Sequence, residues 1–172
     1  MHIAVCDDTF DERISLSALL NTYQQQRNGS FTYELFHSAI ELLDAMQSKS
    51  YDVLLLDILM PGMNGMEAAE EIRRFNPHIS ILFLTSSREF AIESYHVRAA
   101  DYLLKPFDAE QLFKALDRQA QRLLQEETHL ILKTKSGIVK LPLSQLVFVE
   151  VRNHHVFFFQ TDGTSLAVFG RL

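Results

Sequence analysis

Short apolar runs alternate with segments of helical periodicity along the first 125 residues of the chain. The apolar runs predict five strands, and the segments between them predict five helices. The predicted strands are Ile3–Cys6, Phe31–Phe36, Val53–Leu56, Ile79–Leu84 and Tyr102–Leu104, and the predicted helices are Phe10–Gln26, Ala39–Gln47, Met66–Phe75, Glu89–Val97 and Ala109–Glu126. This (βα)5 alternation requires right-handed crossovers, so it predicts a doubly wound parallel sheet of the α/β class.

Two local signals support this assignment. The run Val53–Leu56 is continuously apolar, as expected for a strand that helices cover on both faces of a parallel sheet. The pairs Ser38 with Glu41 and Asp108 with Gln111 have the spacing of capping boxes, in which each side chain bonds the backbone N–H of the other residue. Helices are therefore expected to begin directly after Ser38 and Asp108.

A different pattern begins near residues 125–130. From there onward, short alternating runs are separated by turn residues, which predicts an antiparallel β segment without helices. Its five strands are Leu130–Thr134, Ile138–Leu141, Val147–Val151, Val156–Gln160 and Ser165–Phe169. We therefore divide the chain into a first domain, residues 1–125, and a second, residues 126–172. A segment as short as the second is marginal for an independent domain, so we interpret it as incomplete.

Charge separates the same two parts. The chain has 172 residues, of which 47% are hydrophobic, and a formal net charge of −6. The first part carries 18 acidic and 11 basic side chains, whereas the second carries 4 acidic and 5 basic ones. Tight nonspecific binding to nucleic acid needs an excess of Lys and Arg, which this composition lacks. Any contact with DNA must therefore be local.

The sequence contains one cysteine, Cys6, so an internal disulfide is impossible and a reducing compartment fits best. No stretch reaches the roughly 18 apolar residues of a membrane helix, and no basic, cleavable signal precedes the first strand. We therefore expect a cytoplasmic protein without a membrane partner, in which Cys6 has a structural role.

Polar residues follow four of the five predicted strands. They are Asp7 and Asp8 after the first strand, Asp57 after the third, Thr85 after the fourth and Lys105 after the fifth. The carboxyl ends of parallel strands meet at one edge of a sheet, where ligands bind. Three carboxylates in one place repel each other unless a hard divalent cation such as Mg²⁺ or Mn²⁺ lies among them. A carboxylate beside such a cation and an ammonium group can act as a nucleophile towards a phosphoryl group.

With these residues, the first 125 positions resemble the receiver domain of two-component response regulators. The resemblance rests on the aspartate pair, on Asp57 followed by Ile58-Leu59-Met60-Pro61-Gly62-Met63-Asn64-Gly65, on Thr85, and on Asp101-Tyr102-Leu103-Leu104-Lys105-Pro106-Phe107, all in this order. It implies a flavodoxin-like sheet with the strand order 2-1-3-4-5. It also implies a cis peptide bond between Lys105 and Pro106.

The resemblance further implies a role for each of these residues. Asp57 accepts a phosphoryl group from a phosphohistidine of a sensor histidine kinase. Mg²⁺ is bound by Asp7, Asp8, Asp57 and the backbone carbonyl of Leu59, Lys105 pairs with the phosphoryl group, and Thr85 with Tyr102 forms the switch. Such a protein is a phosphoacceptor with at most self-catalysed phosphorylation and dephosphorylation, and it is not a conventional enzyme.

The second part of the chain resembles the first part of a LytTR-type DNA-binding domain. The match rests on the run from Leu146 to His155 and on Thr161-Asp162-Gly163. It implies that the loop of Arg152, Asn153, His154 and His155 contacts DNA; the alternative is that these are solvated turn residues. The elements that complete this family's domain do not follow Leu172. Specific binding of promoter DNA is therefore expected of the complete protein and not of this chain.

These interpretations predict a response regulator in which phosphorylation of Asp57 controls a LytTR-type transcriptional output, with a homodimer as the expected assembly. Two rival interpretations remain open at this point. One is a stand-alone phosphorelay or decoy receiver whose β segment only mediates dimerisation. The other is a metal-dependent phosphatase with Asp57 as its nucleophile. Against the phosphatase, Leu59 stands where an acidic proton donor would be needed.

Overall fold

The computed structural model describes residues 1–27, 31–127, 129–134, 137–153 and 155–169. Within them, the first part of the chain forms a parallel sheet flanked by α-helices. The strands are β1 (His2–Cys6), β2 (Thr32–Phe36), β3 (Val53–Leu56), β4 (Ser80–Thr85) and β5 (Asp101–Leu104), and the helices are α1 (Phe10–Arg27), α2 (Ala39–Met46), α3 (Gly65–Phe75) and α4 (Ala109–Glu127). The strand order is β2-β1-β3-β4-β5, which confirms the predicted flavodoxin-like sheet. None of these helices is both long and apolar enough to cross a lipid bilayer.

The sheet is buried on both faces, and alternate residues of each central strand belong to two separate hydrophobic cores. In β3, Leu54 and Leu56 belong to the core that includes residues of α2 and α3. Val53 and Leu55 belong to the core that includes residues of α1 and α4. All four side chains are completely buried. The continuous apolar run in the sequence therefore follows from the covering of both faces.

Helices begin directly after Ser38 and Asp108, as predicted. At Asp108 the capping box is complete, because the Asp108 carboxylate accepts the N–H of Gln111 at 2.8 Å and the Gln111 side chain accepts the N–H of Asp108 at 3.0 Å. At Ser38 the hydroxyl accepts the N–H of Glu41 at 3.3 Å, but the Glu41 carboxylate accepts the N–H of His37 instead. Both arrangements satisfy N–H groups that the first helical turn leaves without partners.

The predicted helix Glu89–Val97 is wrong. The structure has two short 3₁₀ turns there, Glu89–Ala91 and Glu93–Tyr95. The large apolar side chains of this segment do not form a buried stripe, since Ile92 is 77% exposed and Tyr95 is 82% exposed. Because most of the stability of a helix in a protein comes from burial of one apolar face, helical spacing alone is not sufficient to form one here.

Arg73 of α3 forms hydrogen bonds to the backbone that follows this 3₁₀ segment. Its guanidinium donates to the backbone carbonyls of Val97 at 2.6 Å, Ile79 at 2.8 Å, Arg98 at 3.2 Å and Asn76 at 3.3 Å. One side chain thus satisfies carbonyls from the connection before β4 and from the connection before β5. Arg73 therefore links the connection before β4 to the connection before β5.

Contacts between residues divide the chain into two compact units, Met1–Ala120 and Gln121–Leu172, with the division inside α4. In the described part of the second unit, the strands are β6 (His129–Thr134), β7 (Gly137–Pro142), β8 (Leu146–Arg152), β9 (His155–Gln160) and β10 (Ser165–Phe169). This confirms the predicted antiparallel β segment. The strands form two ladders, a β6-β7 pair and a sheet of order β10-β9-β8.

Replacing Arg73 tests its structural role. We expect Arg73→Met to lower the free energy of unfolding by about 2–3 kcal/mol, because part-buried carbonyls lose a charged donor. Arg74→Met is the matched control, since Arg74 is exposed and bonds Glu71 one turn away. The control should change the free energy of unfolding by less than about 0.5 kcal/mol. Urea denaturation of both variants measures this, and equal losses would contradict the assignment.

Candidate functional site

The carboxyl ends of β1, β3 and β5 bring Asp7, Asp8, Asp57 and Lys105 together. Asp7 and Asp57 are buried, whereas Asp8 is exposed. One carboxylate oxygen from each of the three aspartates lies within 4.8 Å of the others. We call these three residues the aspartate cluster. Their separation along the chain shows that the parallel sheet, and not local sequence, creates the cluster.

Lys105 supplies positive charge to the aspartate cluster. Its ammonium nitrogen lies 2.6 Å from a carboxylate oxygen of Asp7 and 3.9 Å from one of Asp57. A fourth carboxylate, that of Glu12 in α1, lies 3.8 Å from the same nitrogen. Among the described residues that line the cleft beside the cluster, Lys105 is the sole cation. The site therefore combines four carboxylates with the Lys105 ammonium and the nearby Arg13 guanidinium, so the balance of charge is negative.

The pKa of Asp57 depends first on burial and then on the neighbouring charges. Burial raises the pKa of the Asp57 carboxyl above its ordinary value, the Lys105 ammonium opposes that rise, and the negative charge of Asp7 adds to it. Backbone N–H groups of Leu59 and Ile58 also favour the ionised form, and the Ile58 bond is 2.8 Å long. The net result is a carboxylate whose charge is only partly compensated, so an added cation would stabilise it.

The residues after Asp57 hold the start of α3 against the end of β3. A Cβ atom on Gly65 would lie 2.1 Å from the backbone carbonyl oxygen of Asp57, so only glycine fits at this position. The Gly65 N–H donates to the carbonyl of Ile58 at 3.0 Å. Asn64 then caps α3 in a reciprocal capping box with Glu67, a signal that the sequence analysis did not use. This close approach fixes the backbone that carries the Asp57 side chain.

Thr85 and Tyr102, the predicted switch pair, both contact Ser87. Thr85 is completely buried at the end of β4, and its hydroxyl oxygen accepts the N–H of Ser87 at 3.3 Å. The Tyr102 hydroxyl donates to the backbone carbonyl of Ser87 at 2.5 Å. Burial, and secondarily the charge of Asp57, raises the pKa of the Tyr102 hydroxyl. The connection after β4 is therefore tied to the side chains next to the aspartate cluster.

A cleft of about 640 Å³ opens beside Asp57. Its lining combines the acidic residues with small polar and apolar side chains: Asp8, Thr9, Glu12, Ser15, Leu16, Leu19, Asp57, Leu59, Ser86, Lys105, Pro106 and Phe107. Leu59, predicted to offer its carbonyl to a metal, lies in this lining with its side chain about half exposed. The Lys105–Pro106 peptide bond is cis, as predicted. Asp57 is thus reachable from solvent although most of its side chain is buried.

Cys6 is the last residue of β1, directly before Asp7, and it is buried. Its sulfur is 3.6 Å from the sulfur of Met60. Burial, together with the nearby negative charges of Asp7, Glu41 and Asp57, raises the pKa of the Cys6 thiol to about 12. The thiol is therefore protonated at neutral pH and packs as a small apolar side chain.

Two charged residues at this site were not predicted from the sequence. Arg13 of α1 donates from its guanidinium to the backbone carbonyl of Asp7 at 2.6 Å, and Glu12 lies beside Lys105. Both are in the first turn of the helix that follows β1. That turn necessarily borders the strand-end site in an α/β sheet, and this position is the signal that could have identified them.

The candidate DNA-contacting residues lie in the second unit. Arg152 ends β8, Asn153 adopts a left-handed turn conformation with φ 46°, and His155 begins β9. His154 lies outside the described residues. Two guanidinium nitrogens of Arg152 bond the carboxylate of Glu150 at 2.8 and 2.7 Å. An acidic side chain therefore already engages the one arginine of this loop.

Comparison with known proteins identifies the family of the first unit. The sequence model of the response regulator receiver domain matches residues 3–117. The chain belongs to the receiver domain family. Receiver domains of two-component systems are phosphoacceptors rather than conventional enzymes, they bind Mg²⁺ through acidic residues, and sensor histidine kinases phosphorylate response regulators. The oxygen donors of the aspartate cluster, their spacing and their excess negative charge fit such an ion.

Curated relatives of this receiver are longer than the chain. The sensory transduction protein LytT of Oceanobacillus iheyensis is 33% identical over 120 residues, which are 69% of this chain and 47% of LytT. The DNA-binding transcriptional regulator NtrC of Klebsiella pneumoniae is 40% identical over 85 residues, 48% of this chain and 18% of NtrC. The positive alginate biosynthesis regulatory protein of Pseudomonas aeruginosa is 26% identical over 96% of this chain and 72% of its own length. The chain thus spans less than half of LytT and NtrC.

Solved receiver structures share the fold of the first unit. The response regulatory domain of MrkE from Klebsiella pneumoniae matches with a TM-score of 0.64 and 28% identity, over 73% of this chain and 99% of that domain. The response regulator TrrA from Thermotoga maritima, in complex with Mg²⁺ and BeF, matches with a TM-score of 0.60 and 29% identity, over 69% of this chain and 97% of TrrA.

The raised pKa of Asp57 predicts a stability effect. Because the folded state binds the Asp57 proton more tightly than the unfolded state, stability falls as pH rises from the ordinary aspartate pKa through the raised one. Without divalent cations, Asp57→Asn should therefore raise the unfolding temperature at pH 7 by about 2–4 °C. The gain should shrink as the pH approaches 4, and Mg²⁺ should reduce it by stabilising the native protein.

Thermal unfolding followed by circular dichroism measures this effect. Asp44→Asn is the matched control, since Asp44 is exposed on α2 and the aspartate cluster stays intact in this variant. It should show no gain in unfolding temperature, and Mg²⁺ should stabilise it as much as it stabilises the native protein. A lower unfolding temperature for Asp57→Asn, or a difference independent of pH, would contradict the electrostatic assignment.

Proposed function

We propose that residues 1–125 are the phosphoacceptor domain of a cytoplasmic response regulator, that Asp57 accepts the phosphoryl group, and that residues 126–172 begin a LytTR-type output. The observation that carries this proposal is the position of Asp57, which is buried beside Lys105 and within 4.8 Å of two further carboxylates. A sensor histidine kinase is the proposed donor. The second unit, with its antiparallel strands, is the proposed start of the DNA-binding module.

The two carboxylate oxygens of Asp57 have different environments. Oδ1 accepts the N–H of Ile58 at 2.8 Å, which fixes the rotation of the carboxylate. Oδ2 lies 3.9 Å from the Lys105 ammonium. We assign Oδ2 as the nucleophile: it forms a bond to phosphorus while the bond between phosphorus and the imidazole nitrogen of the donor breaks, and the imidazole leaves with a proton. Lys105 then neutralises charge on the transferred oxygens.

We propose that Asp7, Asp8, Asp57 and the backbone carbonyl of Leu59 hold Mg²⁺. When bound, the ion supplies positive charge to the phosphoryl oxygens. The support is the donor chemistry, since hard oxygen ligands suit Mg²⁺, and the excess of negative charge around Lys105. The similar TrrA structure contains Mg²⁺ together with BeF.

A switch follows from the contacts of Thr85 and Tyr102. The Thr85 hydroxyl accepts from Ser87 and keeps its own proton available for a new acceptor at Asp57. If Thr85 turns towards a phosphoryl oxygen, the Ser87 N–H loses its partner and the Tyr102 bond to the same residue must adjust. The 3₁₀ segment that follows has exposed Ile92 and Tyr95. Phosphorylation at Asp57 thereby changes a surface that a partner can contact.

The LytTR-type output is supported by similarity to LytT, which covers 69% of this chain. The alignment with the alginate regulator covers 96% of this chain and therefore includes the second unit. We propose that Arg152, Asn153, His154 and His155 contact promoter DNA in the complete protein. The pairing of Arg152 with Glu150 opposes this, because a DNA phosphate must replace the carboxylate. Binding of promoter DNA by this chain alone is therefore expected to be weak.

A second candidate function, a stand-alone receiver that dimerises through its β segment, has one specific observation in its favour. Val147, Val149 and Val151 of β8 are 59%, 46% and 55% exposed. Val149 and Val151 alternate on one face, and Val147 lies at the register shift between Leu146 and Phe148. Three neighbouring apolar side chains on a sheet favour a partner surface. We propose a homodimer through this face, and this assembly is compatible with either output.

Phosphoryl transfer tests the assignment of Asp57. With phosphoramidate as donor, we expect the native chain to take up one phosphoryl group and Asp57→Asn to take up none. Asp8→Asn should react on the order of 10-fold more slowly, because a metal ligand is lost, and removal of Mg²⁺ by a chelator should stop the reaction. The control Asp44→Asn should react like the native chain. Uptake by Asp57→Asn, measured by intact mass, would show that another residue is the acceptor.

Sedimentation of the chain tests whether the exposed valines of β8 mediate the proposed homodimer. We expect the native chain to sediment as a dimer at micromolar concentration and Val149→Lys to shift it towards monomer, because a charge is placed among the exposed valines. Lys133→Glu, a charge change of opposite sign on β6, is the control and should leave the distribution unchanged. Phosphoryl uptake by Val149→Lys should stay at the native level. A monomeric native chain would contradict the proposed homodimer.

A further inference from the structure

Glu12 borders the proposed phosphoryl site without belonging to the proposed metal ligands. It lies in the first turn of α1, and its side chain is 46% exposed. One of its carboxylate oxygens is 3.8 Å from the Lys105 ammonium, and Glu12 is part of the lining of the cleft that leads to Asp57. Any small donor that reaches Asp57 through the cleft therefore passes this carboxylate.

Lys105 does not depend on Glu12 for its position. The Lys105 side chain is 15% exposed, and its ammonium is already bonded to Asp7 at 2.6 Å. Glu12 is 1.2 Å farther away, at 3.8 Å, and is the more exposed partner. The contact with Glu12 is thus a second, weaker attraction on an ammonium group that one carboxylate already holds. Loss of Glu12 should leave Lys105 in place and remove a competitor for it.

The net charge of the site determines how Glu12 affects an incoming anion. The three negative charges of the aspartate cluster would be balanced by Lys105 together with the proposed divalent cation. Glu12 adds a further negative charge beside Lys105. The other cation at this site, Arg13, donates to the backbone carbonyl of Asp7. An incoming phosphoryl group is itself an anion, so it is repelled by Glu12 and must also compete with Glu12 for Lys105.

We infer that Glu12 is a specificity-determining residue that competes for Lys105 and weakens the use of small anionic phosphodonors by this receiver, and that it thereby favours a donor carried by a protein. A phosphohistidine on a protein brings its own contact surface, which offsets the unfavourable charge, whereas a small donor has no such surface. The inference rests on the proposed function, in which Lys105 pairs with the phosphoryl group at Asp57.

Binding of beryllofluoride with Mg²⁺ tests the inference without phosphoryl transfer. In a titration followed by ¹⁹F NMR, Glu12→Gln should lower the half-saturating beryllofluoride concentration about 2- to 5-fold, the range expected for one partly exposed ion pair. Asp11→Asn is the matched control. It removes the same charge from the neighbouring exposed position of the same helical turn, and it should leave the half-saturating concentration unchanged.

The kinetics of a small donor provide the second measurement. With acetyl phosphate and saturating Mg²⁺, Glu12→Gln should lower KM by a similar factor and leave the maximal rate unchanged, because the reacting atoms and Lys105 stay in place. Glu12→Asp, which keeps the charge, should behave more like the native chain. Unchanged or weaker beryllofluoride binding in Glu12→Gln, an unchanged KM, or an equal effect of Asp11→Asn would each overturn the inference. Loss of labelling in Asp57→Asn is independent of these outcomes, so failure of the inference is distinguishable from failure of the proposed function.

Discussion

The charge at the carboxyl edge of the sheet is the constraint on which the chemistry of this receiver depends. Three aspartates lie within 4.8 Å of each other, and Lys105 is the lysine in contact with them. Such a cluster is unfavourable unless cations compensate it, and burial of Asp7 and Asp57 increases the cost. Burial raises the pKa of Asp57, and the negative charge of Asp7 adds to that rise although Lys105 opposes it. In the proposed function, metal binding and reactivity towards phosphoryl groups depend on these same buried carboxylates.

The fold supports this unfavourable cluster through contacts away from it. The two hydrophobic cores on either side of the sheet hold β1 and β3 side by side, with Cys6 opposite Leu56 in register. The absence of a side chain at Gly65 lets α3 start against the backbone of Asp57. Thr85 and Tyr102 connect the site to Ser87 through backbone hydrogen bonds. The cores and the start of α3 thus hold the strands that carry the cluster, while two hydrogen bonds join the connection after β4 to Thr85 and Tyr102. In the proposed function, these are the contacts that phosphorylation changes.

The sequence predicts most of the sheet and the residues at its carboxyl edge, because buried parallel strands are continuous apolar runs and the polar residues that end them are easy to see. Other features depend on information that spacing does not contain. The segment Glu89–Val97 has helical periodicity, but Ile92 and Tyr95 are exposed. Because no apolar face is buried there, the segment forms 3₁₀ turns instead of an α-helix. The position of Glu12 in the first turn after β1 places it near the site, but the packed structure is needed to show its carboxylate beside Lys105. The bond between Arg152 and Glu150 was also not predicted, because the predicted strand ends at Val151 whereas β8 continues to Arg152 and places both side chains on one face.

A crystal structure of the chain with Mg²⁺ and beryllofluoride tests the central claim most directly. The account predicts beryllofluoride on a carboxylate oxygen of Asp57, Mg²⁺ among the oxygens of the aspartate cluster, and the Lys105 ammonium within hydrogen-bond distance of a fluoride. Beryllofluoride at another residue, or Mg²⁺ bound away from the three aspartates at saturating concentration, would contradict it.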